Sequence, residues 1–170
     1  MASPERIKLL VLDVDGVMTD GTLIYDNHGN ETKRFHVRDG FGIRAAKFAG
    51  IKVGVLTGRS SRAVTLRMSE LEIDLFVHGQ DNKAIGIETM AKNAGVEPDD
   101  TAYLGDDVLD LPAMVRCGYP MAVADAAEEV RDVAKYVTAA PGGRGAVREV
   151  VEHILKAQNK WDAVLERFGE

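Results

Sequence analysis

Residues 7–12 form a run that is apolar everywhere except at Lys8, and the run stops abruptly at Asp13-Val14-Asp15-Gly16. A short segment with almost no polar position has no face to give to water. It suits a strand covered on both sides, as in a parallel sheet between helical layers. The chain downstream keeps to that plan. Short β-rich runs at 52–56, 73–77, 101–104, 119–123 and 136–137 alternate with helical stretches at 40–49, 60–70, 81–94 and 108–116. Asp39 and Asp81 stand where N-caps are expected, and Gly50 and Gly95 where helices stop. Pro112 falls near a first turn, where proline is tolerated. Val147, Val150, Val151, Ile154 and Leu155 follow at i, i+3, i+4, i+7 and i+8, one apolar helical face.

This alternation predicts an α/β fold: a Rossmann-like, mainly parallel sheet flanked by helices. Segments 22–25 and 32–37 flank Asn27-His28-Gly29-Asn30, the signature of a β-hairpin. The hairpin, about 22–37, is inserted directly after the first strand and would act as a flap. The intervals 13–57 and 57–83 leave no room for a cap domain. A length of 170 residues, 45% apolar and 28% charged, suits one globular domain over 1–170.

Formal charge is -6, from 21 Lys and Arg against 27 Asp and Glu. That sign repels nucleic acid and anionic membranes, so neither is an expected partner. No apolar run approaches a membrane span, and residues 1–8 lack the pattern of a signal peptide. Cys117 is the only cysteine, so no internal disulfide forms. A cytoplasmic location is the expectation.

In open α/β sheets, ligands bind beyond the carboxyl ends of the strands. The first strand ends in Asp13 and Asp15. The second ends in Thr57, Gly58 and Arg59. The fourth ends in Asp106 and Asp107, with Asp110 a turn later, and Lys83 starts the helix after the third. Asp13, Asp106 and Asp110 would gather hard oxygens suited to Mg²⁺. Without a cation these carboxylates would repel one another. Lys83 and the metal could neutralise a phosphoryl group, and the Thr57 hydroxyl and the Gly58 N–H could donate to its oxygens. Asp13 is a carboxylate nucleophile, and Asp15 can protonate the leaving oxygen and later activate water.

These residues resemble the motifs of the haloacid dehalogenase superfamily, in its capless form. Asp13-Val14-Asp15-Gly16-Val17 matches the first motif and Thr57 the second. Lys83 matches the third, and Gly105-Asp106-Asp107 with Asp110 the fourth. The resemblance implies that Asp13 and Asp106 ligate Mg²⁺ by side chain and Asp15 by its carbonyl. Superfamily ion pumps carry Thr at the position of Asp15 and keep their phosphoenzyme; Asp here favours a phosphatase. A narrower resemblance rests on DVDGVMTDG at 13–21, LTGR at 56–59, GQDNK at 79–83 and GGRGAVRE at 142–149. Together these are similar to the phosphatases of 3-deoxy-D-manno-octulosonate 8-phosphate, which serve lipopolysaccharide sugar synthesis. That implies a small phosphorylated sugar acid as substrate, Mg²⁺ as cofactor and a homotetramer. Arg59 and Arg67 align with family positions that meet substrate, and Arg144 lies in the matching glycine-rich loop.

Each residue also has a plainer reading. Asp13 and Asp15 could end a strand in a turn, Thr57 could cap a helix, and Lys83 could be a solvated lysine. Asp107 could cap the helix that follows, and Asp110 could be solvated. Arg144 could sit in a simple connection instead of on a mobile arm that reaches an anion. His28, His36, His78 and His153 show no metal-ligand spacing, and Cys117 reads as a packed residue. A phosphatase of nine-carbon sialic-type sugars is a neighbouring alternative, disfavoured by Arg59 and GGRG. A phospho-accepting receiver or scaffold domain is another, but there the acidic pair precedes the phosphorylated Asp.

Overall fold

The computed structural model describes residues 3–169. A parallel sheet of six strands runs in the order β5-β4-β1-β6-β7-β8. Its strands are β1 (Leu9–Leu12), β4 (Lys52–Thr57), β5 (Leu75–His78), β6 (Thr101–Gly105), β7 (Tyr119–Ala122) and β8 (Tyr136–Val137). The apolar run becomes β1, and all four of its residues are fully buried. It lies between β4 and β6, with Leu12 level with Val55 on one side and Leu104 on the other. Asp13 continues this register and donates its N–H to the Leu104 carbonyl at 3.1 Å. The carboxyl ends of β1, β4 and β6 are therefore adjacent. The strand order turns around β1, the switch point where such sheets take ligands.

Helices α1 (Val37–Phe48), α2 (Arg62–Glu70), α3 (Lys83–Ala94), α4 (Leu111–Met114), α5 (Glu128–Val133), α6 (Ala146–Ala157) and α7 (Trp161–Phe168) complete the chain. α1 packs against α6 and α3 against α4. The face read from 147–155 is buried in α6, where Val147, Val150, Ile154 and Leu155 have no exposed surface. Among the described residues no helix is long and apolar enough to cross a membrane.

Several local expectations need correction. α1 starts at Val37, not after Asp39. Asp39 lies inside it and caps another helix: its carboxylate accepts from Arg148 N at 2.8 Å and Gly145 N at 3.3 Å, at the start of α6. An unpaired N-terminal turn takes any well-placed carboxylate, whichever segment carries it. The cap of α3 is Asn82, one residue after Asp81, and its side chain accepts from Ile85 N. The stretch 108–116 divides into a 3₁₀ turn, Val108–Asp110, and the short α4.

The hairpin forms, but its strands, β2 (Ile24–Tyr25) and β3 (Glu31–Thr32), hold two residues each. Asp26 fixes the turn, accepting from His28 N at 2.8 Å and Asn30 N at 2.9 Å. α5 and α7 were not anticipated. α7 carries its own signal: Trp161, Val164, Leu165 and Phe168 stand at i, i+3, i+4 and i+7. Trp161 and Val164 are buried, and the Phe168 ring meets those of Phe41 and Phe48 edge-on at 5.3 and 5.5 Å.

Candidate active site

A cleft of about 320 Å³ opens at the carboxyl end of the sheet. Asp13, Asp15, Thr57, Gly58, Arg59, Lys83, Asp106, Asp107 and Asp110 all line it, with Gln80, Asp81 and Leu109. Thr57 is the last residue of β4, and its hydroxyl accepts from Arg59 N at 3.2 Å.

Asp13, Lys83 and Asp110 of the floor are buried and paired with one another. Lys83 opens α3 and reaches Asp110 Oδ1 at 2.5 Å and Asp13 Oδ1 at 2.9 Å. Tyr103, on β6, donates to the same Asp110 oxygen at 2.6 Å. The other Asp110 oxygen accepts from Asp106 N at 2.8 Å and Asp107 N at 3.3 Å. Asp110 thus organises the loop and orients Lys83. The Asp107 carboxylate accepts from Val108 N at 2.7 Å, the capping role among its two readings.

Carboxylate oxygens of Asp13, Asp106 and Asp110 all lie within 4.8 Å of one another. Burial and then Asp110 push the Asp13 carboxyl up to about 7, against the pull of Lys83. Burial, Asp13 and Asp110 push Asp106 up to about 8. Lys83 is penalised by burial, yet Asp13 and Asp110 raise it above its ordinary value. One ammonium facing a cluster of carboxylates leaves negative charge uncompensated. A hard divalent cation fits that deficit and that donor set. Asp13 and Asp106 are the side chains for it, since both oxygens of Asp110 are committed to other partners.

Two close approaches lock this floor. Gly16 has a positive φ of 89°, and a Cβ there would stand 1.9 Å from Asp106 Oδ2. At Gly142 a Cβ would stand 1.7 Å from the Gly16 carbonyl oxygen. Gly142 N donates to Asp125 Oδ1 at 2.9 Å and Gly143 N to Val17 O at 2.8 Å. The glycine-rich segment therefore clasps the 16–20 loop. Of the two readings of this segment, the connection has the better ground at Gly142 and Gly143, while Arg144 beside them is exposed.

The flap reaches two residues that line the cleft, Asp15 and Arg59. Lys33 follows β3, and its side chain is 1% exposed. It pairs with Asp15 Oδ1 and with Glu31 Oε1, the latter at 3.3 Å. Arg59 reaches Glu31 Oε1 at 2.9 Å, the Tyr25 hydroxyl at 3.2 Å and Asp15 Oδ2 at 3.7 Å. Lys33 and Glu31 were missed from the sequence. Their signal was alternation: Glu31, Lys33 and Phe35 turn inward, while Thr32 and Arg34 are exposed. Arg67 does not line the cleft. Its guanidinium lies 5.8 Å over the Phe35 ring and pairs with Glu70 at 3.1 Å.

A family model for haloacid dehalogenase-like hydrolases matches residues 76–151. A 3-deoxy-D-manno-octulosonate 8-phosphate phosphatase of Escherichia coli (strain B / BL21-DE3) is 46% identical over 162 residues, 95% of this chain and 86% of the relative. The Haemophilus influenzae phosphatase of the same description is 47% identical over 156 residues, 92% of this chain and 87% of the relative. The crystal structure of the Moraxella catarrhalis phosphatase with magnesium, phosphate and the sugar acid superposes with a TM-score of 0.94 at 45% identity. It covers 97% of this chain and 95% of that one. The cobalt-bound H. influenzae structure gives a TM-score of 0.90 at 46% identity, covering 92% of each chain. The chain belongs to the haloacid dehalogenase-like hydrolases, in the family of the 3-deoxy-D-manno-octulosonate 8-phosphate phosphatases.

Proposed function

We propose that this protein hydrolyses 3-deoxy-D-manno-octulosonate 8-phosphate to the free sugar acid and phosphate, through an aspartyl-phosphate on Asp13. The observation that carries the reading is the meeting of Asp13, Thr57, Lys83 and Asp106 in one cleft, in a chain of this family. A carboxylate oxygen of Asp13 attacks phosphorus, and the bond from phosphorus to the sugar oxygen breaks. Protonated Asp15 gives its proton to that oxygen as it leaves. Asp15, now a carboxylate, takes a proton from water, whose oxygen attacks phosphorus and releases Asp13. Phosphate leaves, and both side chains return to their starting states.

Lys83 keeps its positive charge beside the phosphoryl group throughout, and the Thr57 hydroxyl and the Gly58 N–H are donors to its oxygens. The side chains of Asp13 and Asp106, with the carbonyl of Asp15, would hold Mg²⁺, which when bound neutralises phosphoryl charge. Arg59 grips the substrate's carboxylate or hydroxyls, as its planar fork allows. Arg67 and Arg144 are the further candidates for that recognition in a homotetramer, Arg144 from its own chain or a neighbouring one. Leu23, Ile24 and Tyr25 of the flap are 48%, 37% and 55% exposed, an apolar surface that packing between copies would cover. The whole chain acts as one cytoplasmic domain.

The test is phosphate release from a panel of sugar phosphates, with Mg²⁺ or with chelator. The eight-carbon acid phosphate should give the highest kcat/KM, and chelation should abolish turnover. Preference for a nine-carbon sugar phosphate would overturn the substrate, and full activity after chelation would overturn the role of Asp106.

A further inference from the structure

We propose that Lys33 is a positioning residue for Asp15, so that the flap sets the general acid for the first half-reaction. The inference rests on the role given to Asp15 above and concerns where that side chain is held. Asp15 lies in a loop after β1 and has no covalent reason to keep one rotamer. The structure supplies a physical reason. Asp15 Oδ1 pairs with Lys33, and Arg59 stands 3.7 Å from Oδ2.

Lys33 is an unusual choice for a flap. β2 is exposed and β3 is half-exposed to exposed, yet the Lys33 side chain keeps 1% of its surface. Burying an ammonium on a short hairpin is costly unless partners hold it. Here two side chains do: Asp15, and Glu31 two residues back in β3. Glu31 also binds Arg59 at 2.9 Å, so Lys33 and Arg59 each touch both Asp15 and Glu31, and Oδ1 of Asp15 still accepts from Lys33 when Oδ2 carries the proton. The sheet contributes Asp15 and Arg59, and the flap contributes Glu31 and Lys33. Through these pairs the hairpin docks on the acid and does not merely hang over it.

The consequence is specific to one bond. When the carboxylate of Asp13 attacks, the electron pair of the breaking bond goes to the leaving oxygen. A sugar alkoxide is a poor leaving group and needs the proton of Asp15 as it departs. A nitrophenolate is stable enough to leave without it. A misplaced acid therefore penalises the sugar phosphate selectively, whereas a damaged fold or phosphate site penalises both.

The experiment compares kcat/KM, which reports steps up to departure of the leaving group, for the sugar acid phosphate and for 4-nitrophenyl phosphate. Lys33→Met should lower kcat/KM for the sugar phosphate by about 10²-fold, the lower end of what a general acid contributes. The value for 4-nitrophenyl phosphate should barely change. Glu31→Gln, which keeps Lys33 in place but loosens its second pairing, should show the same selectivity with a smaller loss. That variant carries the test if Lys33→Met does not fold. Equal losses on both substrates, or no loss on either, would overturn the proposal. Asp15→Asn measured alongside separates the two readings. If it too spares the sugar phosphate, the role of Asp15 fails; if it is selective where both flap variants are not, only the positioning role fails.

Discussion

The floor and the flap of the cleft solve the same problem, holding a carboxylate for chemistry, with unequal support. On the floor, Asp13 and Asp110 are buried, and Lys83, Tyr103 and two backbone N–H groups bind them from β6, α3 and the connecting loop. On the flap side, Asp15 is held by Lys33 and Arg59, and one of these comes from a hairpin with two-residue strands. Isolated hairpins are marginal in water, whereas central parallel strands are held on both edges. On the proposed mechanism the nucleophile, Asp13, is thus fixed by the core of the fold, and the acid, Asp15, by ion pairs to a hairpin and to Arg59. On the proposals above, metal binding and phosphoryl transfer then belong to the floor, and discrimination between leaving groups to the flap.

The comparison breaks most sharply at Asp13. Asp13→Asn should reduce turnover by at least about 10⁴-fold, since an amide cannot form the acyl phosphate. The same change should raise the melting temperature of metal-free protein near pH 8, because it removes a buried charge. Steady-state kinetics and calorimetry on one preparation read both outcomes.

A smaller effect is expected from Gly142→Ala, which places a methyl 1.7 Å from the Gly16 carbonyl. The backbone at Gly16 must move, and Gly16 abuts Asp106. We expect a loss of about 1–3 kcal/mol in stability, as for other overpacked sites. The Mg²⁺ concentration for half-maximal activity should rise, and the ratio of kcat/KM values for sugar and aryl phosphates should stay unchanged. A changed ratio would blur the division between floor and flap.

A last effect is one of pH. In metal-free protein the Asp13 carboxyl is pushed up to about 7 and Asp106 to about 8. Both then keep protons in the folded chain that the unfolded chain has released above about pH 4. Stability supplied by these groups is therefore lost as pH rises through about 7 to 8. Without metal, the melting temperature should fall from pH 6 to pH 8, by roughly 2–4 °C for each kcal/mol lost. Saturating Mg²⁺ should flatten the slope. A metal-free melting temperature that rises over this interval would contradict the uncompensated charge of the floor.

The same division marks what was legible in the sequence. The floor could be read because strand periodicity fixes which residues reach one sheet edge. Asp13, Thr57 and Asp106 follow from the apolar runs before them, and Lys83 from a helix start. Tyr103 could not be read, because a tyrosine within a buried strand looks like packing until its hydroxyl is seen on Asp110. The flap partners were hidden for another reason. Lys33 and Glu31 are ordinary surface residue types, and only tertiary pairing across the cleft takes most of their side-chain surface out of water. Asp39 shows the same limit: as a cap it was expected next to its own helix, but its carboxylate serves α6, more than a hundred positions on. α7 was readable from its apolar spacing and was passed over.

The central claim is that phosphate passes through Asp13. Rapid acid quenching during turnover of the sugar acid phosphate, followed by peptide mass spectrometry, tests it most directly. A phosphoryl group should be found on Asp13, appearing before free phosphate reaches its steady rate, and none in Asp13→Asn. A phosphoryl group on a different residue, or wild-type turnover by Asp13→Asn, would contradict it.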